Sequence, residues 1–194
     1  MGFDLYGKTI GIIGTGKIAK VLVELLQGFG MRILGYDPYP DHAFAEKYGL
    51  EYVDFDTLLR EADIISLHCP LTHENHYMIN AEAISKMKRG VMIVNTGRGG
   101  LIDTEELIQG LKSRHIGCAA LDVYEEEGGY FYEDISDNII EDDTLARLLS
   151  FNNVLLTSHQ AFFTREALTN IATTTLQNVK DFVEGKELVN EVKS

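Results

Sequence analysis

The run Gly14-Thr15-Gly16-Lys17-Ile18-Ala19 limits the architecture of this chain more than any other feature. It follows the strand-like Thr9–Ile13 and opens the helical run Lys17–Gln27, in which Ile18, Val21, Leu22, Leu25 and Leu26 read as one apolar side. Arg32–Tyr36 then reads as the next strand. Strand, helix and strand in that order make a βαβ unit. Gly14 permits the tight turn and Gly16 lets the backbone approach a pyrophosphate, which then sits at the positive end of the helix. Ala19 stands where a third glycine is commoner and is small enough for the helix to pack closely on the strand. Glycines often mark an ordinary strand-to-helix turn, but here both flanks suit a nucleotide loop.

The same rhythm continues. Further strands are predicted at Tyr52–Val53, Ile64–Leu67, Val91–Asn95, Cys118–Leu121 and Val154–Thr157. Helices are predicted at His42–Tyr48, Asp56–Glu61, Glu82–Met87, Thr104–Ser113 and Thr144–Leu149 between them. The fold class that follows is α/β, a Rossmann-type doubly wound parallel sheet with helices on both faces. Asp103 with Glu106 three positions on has the spacing of a reciprocal helix cap. Glu125–Asp142, rich in Gly, Tyr, Asp and Glu, has no clear period and reads as a long loop, in which Tyr130, Phe131 and Tyr132 read as apolar anchors in preference to a lid. A long helix is predicted over Thr164–Glu184, ending at Gly185. The expected organisation is a nucleotide-binding domain over residues 1–163 and a separate helix and tail over 164–194.

A net charge of -13, from 30 acidic and 17 basic side chains, argues against nucleic acid or an anionic membrane as a partner. No segment reaches membrane-spanning length and no leader pattern stands at the N-terminus, so the expected compartment is the cytoplasm. Cys69 and Cys118 fit reduced core thiols. His68, Cys69, His73 and His76 cluster, but their spacing matches no standard zinc pattern, and no metal is expected.

Asp37, at the end of the second strand and about 20 residues beyond the glycines, is placed to accept hydrogen bonds from an adenosine ribose. A 2′-phosphate would meet its charge, and Pro38-Tyr39-Pro40-Asp41 brings no Arg to neutralise it, so NAD is expected over NADP. The plainer reading makes Asp37 a turn residue before Pro38. Arg98, Glu127 and His159 fall beyond the carboxyl ends of predicted strands, where open α/β sheets place ligands. Arg98 offers a planar fork for a carboxylate. His159 titrates near neutrality and can give or take an alcohol proton. Glu127, if it meets the imidazole, raises its pKa.

With these residues in place, the chain resembles the lactate-type branch of the D-2-hydroxyacid dehydrogenase family. The resemblance is carried by Gly11 to Ile18, Gly28-Phe29-Gly30-Met31, Tyr36 to Pro40, Ser66 to Thr72, Val94 to Gly99, Asp122 to Glu125 and His159-Gln160-Ala161-Phe162. It implies Arg98 for the substrate carboxylate, Glu127 with His159 as the acid–base pair, and Asp37 for the ribose. It also implies cofactor contacts at Gly14, Gly16, Lys17, Ile18, Cys69, Pro70, Asn75, Thr96 and Asp122. Formate-type relatives place Gln where Glu127 stands, and Gly97 departs from the Ser usual before the catalytic Arg. The implied reaction is hydride transfer between NADH and pyruvate or a related 2-oxo acid. A homodimer is implied as well. In the family an N-terminal segment builds most of the substrate domain, and the expectation is that such a segment is missing here. The competing expectation is a non-catalytic NAD-binding module or NAD-sensing regulator.

Overall fold

The computed structural model describes residues 2–125 and 142–192. Packing divides the chain into two compact units, Met1–Ser158 and His159–Ser194. The first holds seven strands: β1 (Thr9–Ile13), β2 (Arg32–Tyr36), β3 (Leu50–Tyr52), β4 (Ile64–Leu67), β5 (Val91–Asn95), β6 (Ile116–Leu121) and β7 (Val154–Leu156). All pair in parallel, in the order β3-β2-β1-β4-β5-β6-β7. Six helices connect them: α1 (Lys17–Leu26), α2 (His42–Tyr48), α3 (Phe55–Glu61), α4 (Ala81–Lys86), α5 (Thr104–Lys112) and α6 (Asp143–Leu149).

The strands are apolar on both faces because both faces are covered. Ile12 and Ile13 are neighbours in β1 yet belong to different cores, as the two-residue period of a strand requires. Ile12 joins Ile10, Ile33 and Ile64 beneath Ala19, Val23 and Leu26 of α1 and Ala45 of α2. Ile13 joins Leu34, Ile65, Leu67 and Ile93 beneath Leu58, Ile84, Leu107 and Leu148 of α3 to α6. This is the doubly wound architecture expected from the sequence. Strand order reverses at β1, which lies between β2 and β4, so the chain leaves these strands in opposite directions and opens a crevice at their carboxyl ends.

Four local readings change, the first being β3, which covers Leu50–Tyr52 instead of Tyr52–Val53. The packed stripe of α1 is Ala19, Val23 and Leu26, whereas Ile18, Val21 and Leu25 are 74%, 57% and 68% exposed. The apolar side of this helix is wider than the strip that it buries, so period alone cannot choose the buried stripe; the small Ala19 lets the helix come down on the sheet. β6 begins at Ile116 instead of Cys118 because the register skips Gly117 between Val91–Ile116 and Met92–Cys118. A Cβ on Gly117 would lie 2.5 Å from the Gly90 carbonyl oxygen. Finally, Asp103 accepts from the Glu106 N–H at 3.2 Å, but its own N–H donates to the Ile79 carbonyl, so the return half of the expected cap is not made.

The second unit contains α7 (Arg165–Val183), whose first turn is capped by the Thr164 hydroxyl oxygen accepting from the Ala167 N–H. None of its 19 residues is buried. Gly185, at φ +65°, follows the helix end in the left-handed conformation that suits glycine.

Because only one half of the α5 cap is formed, Asp103→Ala should cost about 1 kcal/mol. Glu106→Ala should stay within about 0.5 kcal/mol of the parent. Urea unfolding midpoints of the two variants check this, and a reversed order would contradict the assignment.

Candidate active site

Gly14 is the pivot of the crevice. Its φ is +85°, and a Cβ there would lie 2.5 Å from the backbone nitrogen of Cys69, the second residue beyond β4. Any side chain would therefore force the exits of β1 and β4 apart. Gly16 differs: a Cβ there would meet no atom within 4 Å, so its backbone faces open space. The Gly14 N–H donates to the Tyr36 carbonyl and the Thr15 N–H to Asp37. An anion over the loop would thus be met by amides from Gly16 onward, at Lys17 and Ile18. Six of the seven described α-helices begin with an Asp, Asn or Thr side chain that accepts from their first turn; α1 begins at Gly16 with no side-chain cap. A helix end of this kind, with room above a glycine backbone, fits a pyrophosphate.

Asp37 leaves β2 and turns back to this loop. One carboxylate oxygen, Oδ2, accepts from the Thr15 N–H at 2.6 Å and the Thr15 hydroxyl at 3.0 Å; Oδ1 accepts from the Tyr39 N–H at 2.8 Å. Partial burial opposes its charge, but these bonds and the field of Lys20 outweigh it and hold the carboxyl below the usual carboxylate range. Asp37 is therefore a fixed anion beside the phosphate loop.

Beyond β5 the side chain of Asn95 builds the turn that carries Arg98. Asn95 is 1% exposed; its Oδ1 accepts from the Gly97 N–H at 3.0 Å and its Nδ2 donates to the Arg98 carbonyl at 2.9 Å. The exposed Arg98 guanidinium donates to the Gly97 carbonyl. Gly99 seats the turn on the exit of β6, since a Cβ there would lie 2.2 Å from Tyr124 backbone atoms. The Asp122 N–H donates to the Asn95 carbonyl at 2.9 Å, and the buried Asp122 carboxylate accepts from the Thr157 hydroxyl at 2.5 Å. One buried amide thus ties Arg98 to Asp122. Asn95 escapes a search for chemical groups because its part is geometric; its only signal is a polar residue ending a buried strand.

The other expected positions vary in what their side chains can offer. Thr96 and Pro70 are exposed. Asn75 is engaged in its own loop, donating to the Pro70 carbonyl and accepting from the Thr72 N–H. Burial pushes the Cys69 thiol up and His68 down, so both are neutral at pH 7, and His68 Nε2 shares a 2.8 Å hydrogen bond with Ser66. No metal-binding cluster occurs among the described residues. A separate cavity of 410 Å³ is lined by Asp103, Glu105, Glu125 and Asp142 with Tyr77 and Tyr124, a ring of carboxylates that would repel an acidic substrate. Glu125 itself accepts from the Tyr77 and Thr104 hydroxyls.

His159 opens the second unit, three residues after β7, with φ at +55°. Such a conformation is uncommon outside glycine and is several-fold enriched in His, Asn and Asp. Glu127 and the aromatic group Tyr130, Phe131 and Tyr132 lie outside the described residues.

Crevice, phosphate loop and acid at the end of β2 together define a dinucleotide-binding domain. The chain belongs to the family of D-isomer specific 2-hydroxyacid dehydrogenases, whose NAD-binding domain matches residues 1–161. It is 53% identical over 191 residues to the D-lactate dehydrogenase of Escherichia coli (strain K12), covering 98% of this chain and 58% of that protein. Among solved structures, the pyruvate reductase of Chlamydomonas reinhardtii superposes with a TM-score of 0.92 at 43% identity, over 98% of this chain and 58% of that one. The D-lactate dehydrogenase of Lactobacillus jensenii with NAD+ gives 0.89 at 33% identity, over all of this chain and 58% of that one. The chain therefore spans a little more than half the length of these relatives. NAD is the cofactor of the domain.

The depressed pKa of Asp37 has a stability consequence with a definite sign. In the folded state it lies below the unfolded value of about 3.9. The contribution is therefore complete above that value and is lost as pH falls through the folded one. The difference in urea midpoint between the parent and Asp37→Asn should shrink as pH is lowered from 6 toward about 2. A difference that grows in acid would contradict the bonds described.

Proposed function

We propose that this chain is the NAD-binding part of a dehydrogenase that interconverts pyruvate, or a related 2-oxo acid, and the corresponding D-2-hydroxy acid. The observation that carries this reading is Arg98, presented at the carboxyl end of β5 on a turn pinned by a buried amide, in the same unit as the phosphate loop. An exposed cation held so firmly, in a chain with 13 more negative than positive charges, suits recognition of a small carboxylate. The similarity to D-lactate dehydrogenases and to a pyruvate reductase supports the choice of substrate.

NADH, when bound, supplies the hydride that reduces the ketone. Gly14 shapes the turn, the amides of Gly16, Lys17 and Ile18 would hold the pyrophosphate, and Asp37 would accept from the adenosine ribose and repel a 2′-phosphate. Asp122 with the Cys69-Pro70 and Thr96 region would lie near the nicotinamide and its ribose, and Asn75 would contact the cofactor. Arg98 orients the substrate carboxylate. His159 protonates the carbonyl oxygen as it gains charge, or removes the alcohol proton in the reverse direction, and Glu127 keeps the imidazole protonated. Residues 164–194 belong to a substrate domain, and the working form is a cytoplasmic homodimer. No described helix is long and apolar enough to cross a membrane.

NADH oxidation with pyruvate, followed at 340 nm beside calorimetric titration with NADH, tests the reading. His159→Ala should lower turnover by about 10²- to 10⁴-fold while leaving NADH affinity intact, and Arg98→Ala should act mainly on the KM for pyruvate. Turnover of this chain depends on the substrate-domain segment expected before it, so binding without turnover favours the non-catalytic module only when that segment is joined to the chain. Absence of both would remove the proposal.

A further inference from the structure

Asp37 is the near end of a chain of hydrogen bonds that crosses the carboxyl ends of three adjacent strands. The Thr15 hydroxyl lies 3.0 Å from Asp37 Oδ2 and 2.8 Å from the Tyr52 hydroxyl, which is 3.0 Å from the Asp41 N–H. Proton bookkeeping leaves only one direction. A carboxylate can only accept, so Thr15 donates to Asp37; Thr15 must then accept from Tyr52, and Tyr52 accepts from the Asp41 N–H. Each hydroxyl both donates and accepts, an arrangement in which every bond polarises the next.

The packing makes this chain specific. Thr15 is buried just beyond β1, Tyr52 ends the edge strand β3, and Gly35 lies between them in β2, opposite Ile12 on one side and Tyr52 on the other. A Cβ on Gly35 would lie 3.3 Å from both the Thr15 methyl and the Tyr52 ring. Leu50 Cδ1 would lie nearer still, at 3.1 Å, so a side chain at Gly35 would crowd the Thr15–Tyr52 contact together with Leu50. The ring of His42 packs edge-on against Tyr52 with centroids 5.8 Å apart, so the ring keeps its place without its hydroxyl. Lys20 is bound to Asp41 at 2.5 Å, which engages this cation at the far end of the loop.

We infer that Tyr52 and Thr15 are positioning residues for cofactor choice, fixing the Asp37 carboxylate so that it accepts a ribose hydroxyl and meets a 2′-phosphate with its charge. This rests on the proposed role of Asp37. Three of about four acceptor sites of the carboxylate are occupied by Thr15 and Tyr39, which leaves one on Oδ1 for a neutral donor. Tyr52 braces both ends of the Asp37–Asp41 loop, through Thr15 at one and the Asp41 N–H at the other. Without that brace the carboxylate can swing from the ribose position, and discrimination falls although its charge remains.

Calorimetric titration of the chain with NADH and with NADPH tests this without any turnover. Thr15→Val removes the hydroxyl and keeps the backbone bond; it should narrow the preference for NADH by about tenfold, the scale of one hydrogen bond to a charged group. Tyr52→Phe should narrow it by at least about threefold. Thr15→Ser, which keeps the hydroxyl, should retain it. In an Asp37→Ala background Tyr52→Phe should change the preference no further, because the relay then has no terminus. Equal weakening of both cofactors by Thr15→Val and Tyr52→Phe, or a Tyr52→Phe effect that persists without Asp37, would overturn the inference. Parent protein that binds both cofactors equally would instead remove the role of Asp37 itself, and the relay with it.

Discussion

Much of this structure depends on one close approach, the backbone of Gly14 against the backbone of Cys69. It joins the exits of β1 and β4 at the point where the strand order turns, and it does so with no side chain between them. Once those two exits touch, β1 must hand its chain to α1 on one face while β4 hands its chain to the other. The crevice above Gly16 is the space left by that divergence. Asp37 from β2, bonded to Thr15 beyond β1, closes one side of it, and the turn carrying Arg98 rises from β5 beyond. A larger residue at position 14 would disturb the fold and the ligand site by the same displacement.

The parts legible in the sequence were those whose physics is local. Thr9–Ile13, Arg32–Tyr36 and Ile64–Leu67 are apolar runs of strand length, and the structure has strands at those residues. The glycine loop and the acid after it carry meaning through spacing, which survives in a linear reading. What escaped depended on residues distant in sequence. The buried stripe of α1 was decided by contact with the sheet, since its apolar side is wider than the strip that Ala19, Val23 and Leu26 bury. Glu106 did not complete its cap because Ile79, 24 positions before Asp103, took the N–H first.

Within the candidate site the division is the same. Arg98, Asp37 and His159 could be singled out because each bears a group whose chemistry is scarce and suited to the task. Asn95, Tyr52 and Gly35 could not, because their contribution is to hold something else, and nothing in an isolated Asn, Tyr or Gly distinguishes that duty from ordinary packing. Gly35 is instructive: as a strand glycine it weakens β propensity, and the close approach of Leu50, Thr15 and Tyr52 around it is visible only in the fold.

The missing side-chain cap on α1 has a thermodynamic side as well. Six of the described helices satisfy their first turn with their own side chains, so their contribution to stability is fixed by the sequence. The seventh leaves that contribution to whatever anion settles there, and a ligand bound only by the folded state adds RT ln(1 + [L]/Kd) to stability, about 2.7 kcal/mol at a hundredfold excess. A dinucleotide seated there would therefore also lengthen the time the domain resists unfolding and proteolysis.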